Sequence, residues 1–177
     1  MADFGAAKDQ PSFSIAHSSG FNLDFEPGPA DAALWWDEND GFGVQYGYED
    51  DEVEGDEWLK LDFSPNVILV EIHFTDLFNE LGYRETGSFE IDGSGTWTPF
   101  SALQGQQWGI SNGELFFPVN QQVDFITFMA PGWENGQHHE YAVAGVEVTQ
   151  IPIPGSALLL GSGALALFGI IRKRKKS

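Results

Sequence analysis

Residues 58–74 read WLKLDFSPNVILVEIHF. In the first six, Leu59, Leu61 and Phe63 alternate with Trp58, Lys60 and Asp62, the period-two signature of a strand with one buried face. The remainder, beginning at Asn66, is rich in Val, Ile and Phe, as a central strand would be. Upstream, FNLDFE at 21–26 repeats the alternation through Phe21, Leu23 and Phe25. Downstream, VDFITFM (123–129) and YAVAGVEVTQI (141–151) are further strand candidates. Turn-forming stretches separate them: EPGP, DENDG, DGSG, SNG and PGWENG. Many short strands with such punctuation and no fixed repeat predict an all-β fold, an antiparallel β-sandwich with jelly-roll-like connections over residues 13–150. Residues 1–12 read as a flexible N-terminal segment. One helical turn is expected in FTDLFNELG, with Thr75 as cap, Leu77, Phe78 and Leu81 inward, and Gly82 as stop.

Composition bounds the rest. The 177 residues include 27 acidic and 8 basic ones, a net charge of −19. Five of the basic residues are Arg172 to Lys176, and none of the acidic ones lies beyond Glu147. The body therefore opposes 27 acidic residues with three basic ones, a net of −24. Such a surface repels nucleic acid and attracts cations, so no nucleic-acid partner is expected. A hydrophobic fraction of 42% and six Trp exceed what disordered chains carry, so the body is expected to fold. Cysteine is absent, which leaves no disulfide, thiol nucleophile or zinc–thiolate site.

The chain ends IPIPGSALLLGSGALALFGIIRKRKKS. Residues 151–154 form a Pro-containing linker, 155–171 contain no charge, and 172–177 are a basic tail. As a helix, 155–171 would span roughly 25 Å, the short end of what crosses a bilayer core. A buried core helix is the alternative reading, but it would show a polar face. Snorkelling by Arg172 and Lys173 extends the reach of the helix. The positive-inside tendency places the basic tail in the cytoplasm and the body across the membrane.

In this order, Pro152 and Pro154 with Gly155, a short apolar helix and a cluster including Arg172, Lys173 and Arg174, the tail resembles the PEP-CTERM type of sorting signal. Ile153 stands where the name-giving motif has Glu, so IPIPG is closer to the VPLPA-like variants. The resemblance implies an exosortase-type processing enzyme as partner and a tether to the inner membrane through residues 155–171. It also implies later release to the cell surface or extracellular matrix. The pattern GFGVQYGYEDDEVEGDEWLKLDFSPNVILVEIHF resembles, more faintly, the β-sandwich domains common in that group. Such a protein requires an N-terminal export signal, which residues 1–12 do not resemble, so either a missing precursor start or a misassigned initiator Met is expected.

Between Asp24 and Asp62 there are 14 acidic residues and one basic one, Lys60. Calcium takes 6 to 8 oxygen ligands and suits such density. An EF-hand starting at Asp50 fails, because Leu61 falls where a bidentate Glu is required. A loop-built calcium site would draw on Asp37, Asn39, Asp40, Asp50, Asp51, Glu52 and Glu57. The alternative is a solvated acidic face, with Glu57 as a buried residue pinning the turn before Trp58.

Six Trp also raise carbohydrate binding, since exposed aromatic faces stack on sugar rings. Trp35 and Trp36 must point to opposite faces of a strand, so one is expected inside and one outside. Trp58, on the polar register of its strand, and Trp133, in PGWENG, are the expected platforms. Catalysis has little support: His138 and His139 read as surface turn residues, and no nucleophile, metalloprotease or phosphate-loop motif occurs. The expected function is a non-enzymatic, exported surface or matrix protein with structural or adhesive work beside exopolysaccharide. The alternative is a calcium-dependent carbohydrate-binding module.

Overall fold

The computed structural model describes residues 4–47, 52–80, 83–132 and 139–151. Eleven strands are present there: β1 Phe13–Ala16, β2 Asn22–Gly28, β3 Ala33–Asp37, β4 Gly41–Gln45, β5 Trp58–Thr75, β6 Asn79–Glu80, β7 Tyr83–Arg84, β8 Thr86–Ile91, β9 Trp97–Ser101, β10 Leu115–Met129 and β11 Ala142–Gln150. All pairings are antiparallel. The main sheet runs β3-β4-β11-β5-β10-β8-β9, with β1 and β2 attached at β5 and β6-β7 as a separate ribbon.

The stretch at 58–74 forms one strand rather than two. Its first half, from Trp58 to Ser64, pairs with β2, and its second half, from Val67 to Thr75, pairs with β11 along the same edge. β10 follows both halves on the other edge. The break falls at Pro65, which has no N–H to give to a ladder. Opposite it, four residues of β5, 63–66, face Asp124 alone. The bulge leaves backbone donors that Asp92 satisfies: its Oδ1 accepts the N–H of Asp124 at 2.8 Å and of Phe125 at 2.9 Å.

A second irregularity lies at Val70. There β10 carries an extra residue, with Asn120 at φ 55°, and β11 has no counterpart to Val70. Inward positions accordingly change phase, from Leu59, Leu61, Phe63, Val67 and Leu69 to Ile72 and Phe74. These two bends curl the sheet until β2 lies opposite β4, where Phe25 and Phe42 stack at 4.1 Å. A single hydrophobic core fills the curl.

Where a flexible N-terminal segment is expected, Phe4–Ala7 form a 3₁₀ turn instead. Ala7 is fully buried, Phe4 meets Trp36 at 5.1 Å, and Asp9 N–H donates to Leu34 at 2.8 Å. Burial of apolar surface thus orders a segment whose polar composition concealed it. The helical turn expected at 74–82 is also corrected. Thr75 ends β5, and Asp76 and Leu77 donate to Asn112 and Gly113. Leu77 is fully buried, Asn79 and Glu80 are extended, and Leu81 and Gly82 lie outside the described residues.

No described helix is long and apolar enough to cross a membrane. Residues 152–177, with the expected linker, transmembrane helix and basic tail, lie outside the described residues.

Candidate functional site

Among the described residues, those expected to share a cation fall into three groups, the β3–β4 turn, Glu52 and Glu57. Asp37, Asn39 and Asp40 belong to the β3–β4 hairpin, where Asp37 pairs with Gly41. The Asp37 Oδ1 accepts the Asn39 backbone N–H at 2.7 Å and its side-chain amide at 3.1 Å, a local turn-closing arrangement. The Asp40 carbonyl accepts the Thr75 hydroxyl. Glu52 lies at the other end of β4, where its carbonyl accepts Val44 N–H at 3.0 Å. Val44 lies four residue steps along the chain from Asp40, roughly 14 Å at the rise of a strand. Calcium ligands sit within about 2.6 Å of the ion, so Glu52's backbone and this turn do not close on one ion.

Glu57 is 3% exposed, and its Oε2 accepts Glu54 N–H at 3.1 Å while its own N–H donates to Glu54 at 2.8 Å. It pins the turn that launches β5. Asp50 and Asp51 lie outside the described residues. Among the described residues, no three acidic or His side chains gather as a metal-holding group.

Trp58 is half-buried, with its ring against the backbone of Gly28, where a Cβ would come within 1.8 Å of it. This flat contact uses one face of the ring. Trp133 lies outside the described residues. Trp36 packs on Phe42 at 4.7 Å, and Trp35 points away under the Lys8 ammonium, 3.4 Å from its ring centroid.

Among the described residues the most exposed tryptophan is Trp108, at 76%, with Ile110 at 78% and Leu103 at 51% on the same loop. Two successive turns build that loop. Gln106 N–H donates to Leu103 at 3.3 Å and Ile110 N–H to Gln107 at 3.0 Å, and the third residue of each turn is a glycine at positive φ, Gly105 at 89° and Gly109 at 74°. These are the requirements of type II turns, with Gln104 and Trp108 at the outer corner of each. A polar side chain clamps each turn. Gln106 Oε1 accepts Leu103 N–H at 2.6 Å and its amide donates to the Glu114 carbonyl. Ser111 Oγ accepts Gln107 N–H at 3.1 Å. The spacing LQGQQWGI carries this signal in the sequence, as two consecutive x-x-Gly-x units, but the exposure does not follow from it.

His139 is not a surface residue. It is 7% exposed, and its Nδ1 accepts Thr86 N–H at 3.2 Å, which places the proton of the neutral ring on Nε2. Nearby, Glu85 is 6% exposed and its carboxylate accepts Phe78 N–H. Burial and the neighbouring Glu85 and Glu140 carboxylates push the Tyr83 phenol upward. These groups tie the start of β8 to the start of β11, and the bonds they make are those of a structural clamp. His138 lies outside the described residues.

Between β1–β2 and β4–β11 the curl leaves a cleft of ≈ 680 Å³, lined by Phe4, Leu23, Phe25, Trp36, Phe42 and Val146 among others, with His17 and Ser18 also on its wall. β2 and β11 both hang from β5 but make no ladder with each other. No protein-family model and no curated protein matches this chain.

Proposed function

We propose that this chain is a non-enzymatic, exported protein of the cell surface or extracellular matrix, anchored transiently by its C-terminal segment. In this reading the curled sheet is a jelly-roll-like β-sandwich followed by a single transmembrane helix over residues 155–171. The observation that supports it is the order of segments along the sequence. Among the described residues the last ladder pair is Gln150 with Val67, and the sequence then runs through Pro152–Gly155 and the charge-free residues 155–171 to the basic cluster at Arg172–Lys176. Among the described residues the strands end at Gln150, just before the sequence takes on the sorting-like pattern. An exosortase-type enzyme would separate the two, releasing the body from the inner membrane.

Outside the cell the acidic body would adhere by cation bridging, with calcium between its carboxylates and anionic exopolysaccharide. Mass spectrometry of the protein recovered from its native cell tests the sorting step. The extracellular form is expected to lack the basic tail, and an extracellular form retaining Ser177 overturns it. Calorimetry with calcium tests the bridging step: heat and a raised melting temperature are expected, and neither should survive chelator.

A further inference from the structure

We propose that the loop from Ala102 to Gly113 is a glycan-binding platform, with Trp108 stacking on the face of an uncharged sugar ring. It extends the polysaccharide contact proposed above, yet stands on the geometry of this loop and needs neither calcium nor the tail.

Residues 93–113 contain no charged side chain, the longest such run before the C-terminal segment in a body of net charge −24. The residues of this stretch themselves therefore offer a hydroxyl-rich polymer no carboxylate, and Asp92 and Glu114 stand at its two ends. Trp108 supplies the apolar face, 76% exposed at the corner of its turn. Around it in sequence stand exposed amides, Gln104, Gln107 and Asn112, groups that donate to and accept from sugar hydroxyls without a net charge. The clamps by Gln106 and Ser111 and the anchoring of Gln106 to Asn79, whose N–H donates at 2.7 Å, fix the loop before a ligand arrives. Such preorganisation lowers the cost of binding.

The loop fits a membrane surface less well. It carries no cation for anionic headgroups, and the body around it is acidic.

The test is affinity electrophoresis of the full chain in detergent, in gels holding dextran, a mixed-linkage β-glucan, galactomannan or alginate, with and without chelator. Retardation by at least one neutral polysaccharide is expected, unchanged by chelator. Trp108→Ala should weaken it about tenfold, the effect of losing an aromatic anchor, while Trp108→Tyr should retain most of it. Trp97→Ala, at the far end of β9, is the comparison and should retain it. The proposal is overturned if no neutral gel retards the protein, if W108A runs as the parent does, or if only W97A loses retardation. Self-association that W108A abolishes, without retardation in any gel, would assign the loop to a protein partner and overturn it as well. Retardation by alginate alone, lost with chelator, would support cation bridging and overturn the platform, so the two readings fail separately.

Discussion

Two aromatic clusters occupy the curl, and they are packed differently. Around Phe74 the rings of Phe100, at 4.0 Å, Tyr141, at 5.6 Å, and Phe128, at 5.8 Å, close on one another with near-perpendicular or stacked planes. Phe74, Phe128 and Tyr141 are fully buried there. Around Phe42 the rings of Phe4, Phe25 and Trp36 are as close, yet a cleft of ≈ 680 Å³ lies against them. The difference is one of backbone support. At the Phe74 end, continuous pairing from β5 through β10 and β8 to β9 draws the layers together. At the Phe42 end, β2 and β11 share an edge of β5 without pairing, so no hydrogen-bond ladder sets their separation. Apolar content brings a core together, and strand connectivity decides how completely it fills.

The largest effect expected from this contrast is at Phe74. Phe74→Ala should cost about 3–5 kcal/mol, as truncation in a closed aromatic core does. Phe42→Ala should cost less, because its side chain already lacks partner atoms toward the cleft. Thermal and denaturant melts of both variants check this, and equal losses would erase the distinction.

Alkaline pH is the next lever. Burial pushes the Tyr141 phenol well up, and burial with Glu85 and Glu140 raises Tyr83. In the unfolded chain both ionise near pH 10, while the folded chain holds its protons longer. Stability should therefore be at its full value below about pH 10 and fall as pH rises beyond it. Urea midpoints from about pH 9 to about pH 11 should show this slope, and Tyr141→Phe combined with Tyr83→Phe should flatten it.

At neutral pH, Tyr141→Phe alone should stabilise the packed cluster by about 1 kcal/mol, because the buried Tyr141 hydroxyl has no hydrogen-bond partner among the described residues. A destabilised variant in calorimetric melts would show that the hydroxyl is satisfied in solution. The smallest change belongs to the cleft. Val146→Leu, on its wall, should be tolerated or gain about 0.5 kcal/mol by filling space. A loss above about 1 kcal/mol, the sign of overpacking, would mean that the cleft is closed in solution.

Much of the sheet was legible in the sequence, and the reason is local. Leu59, Leu61 and Phe63 alternate cleanly, and β5 buries them. In VILVEI no alternation exists to read, because the change of inward phase at Val70 is set by residue counts in β10 and β11. Pairing of Trp35 and Trp36 on opposite faces was legible from strand geometry alone. The polar neighbours of His139 describe a surface turn, whereas its burial goes with a bond to Thr86, 53 residues away. Trp108 escaped notice for the converse reason: its turn chemistry is local, but its exposure depends on what the rest of the fold leaves uncovered.

The sequence by itself determined the segregation of charge, the all-β character of the body, the turns at glycine pairs and the distinct chemistry of the tail. Each depends on composition or on residues a few positions apart. Only the tertiary structure decided the curl of β5, the closing of one aromatic cluster and not the other, the ordering of Phe4–Ala7 and the surface given to Trp108. These depend on which strands share an edge, and contacts across tens of residues leave no period in the chain.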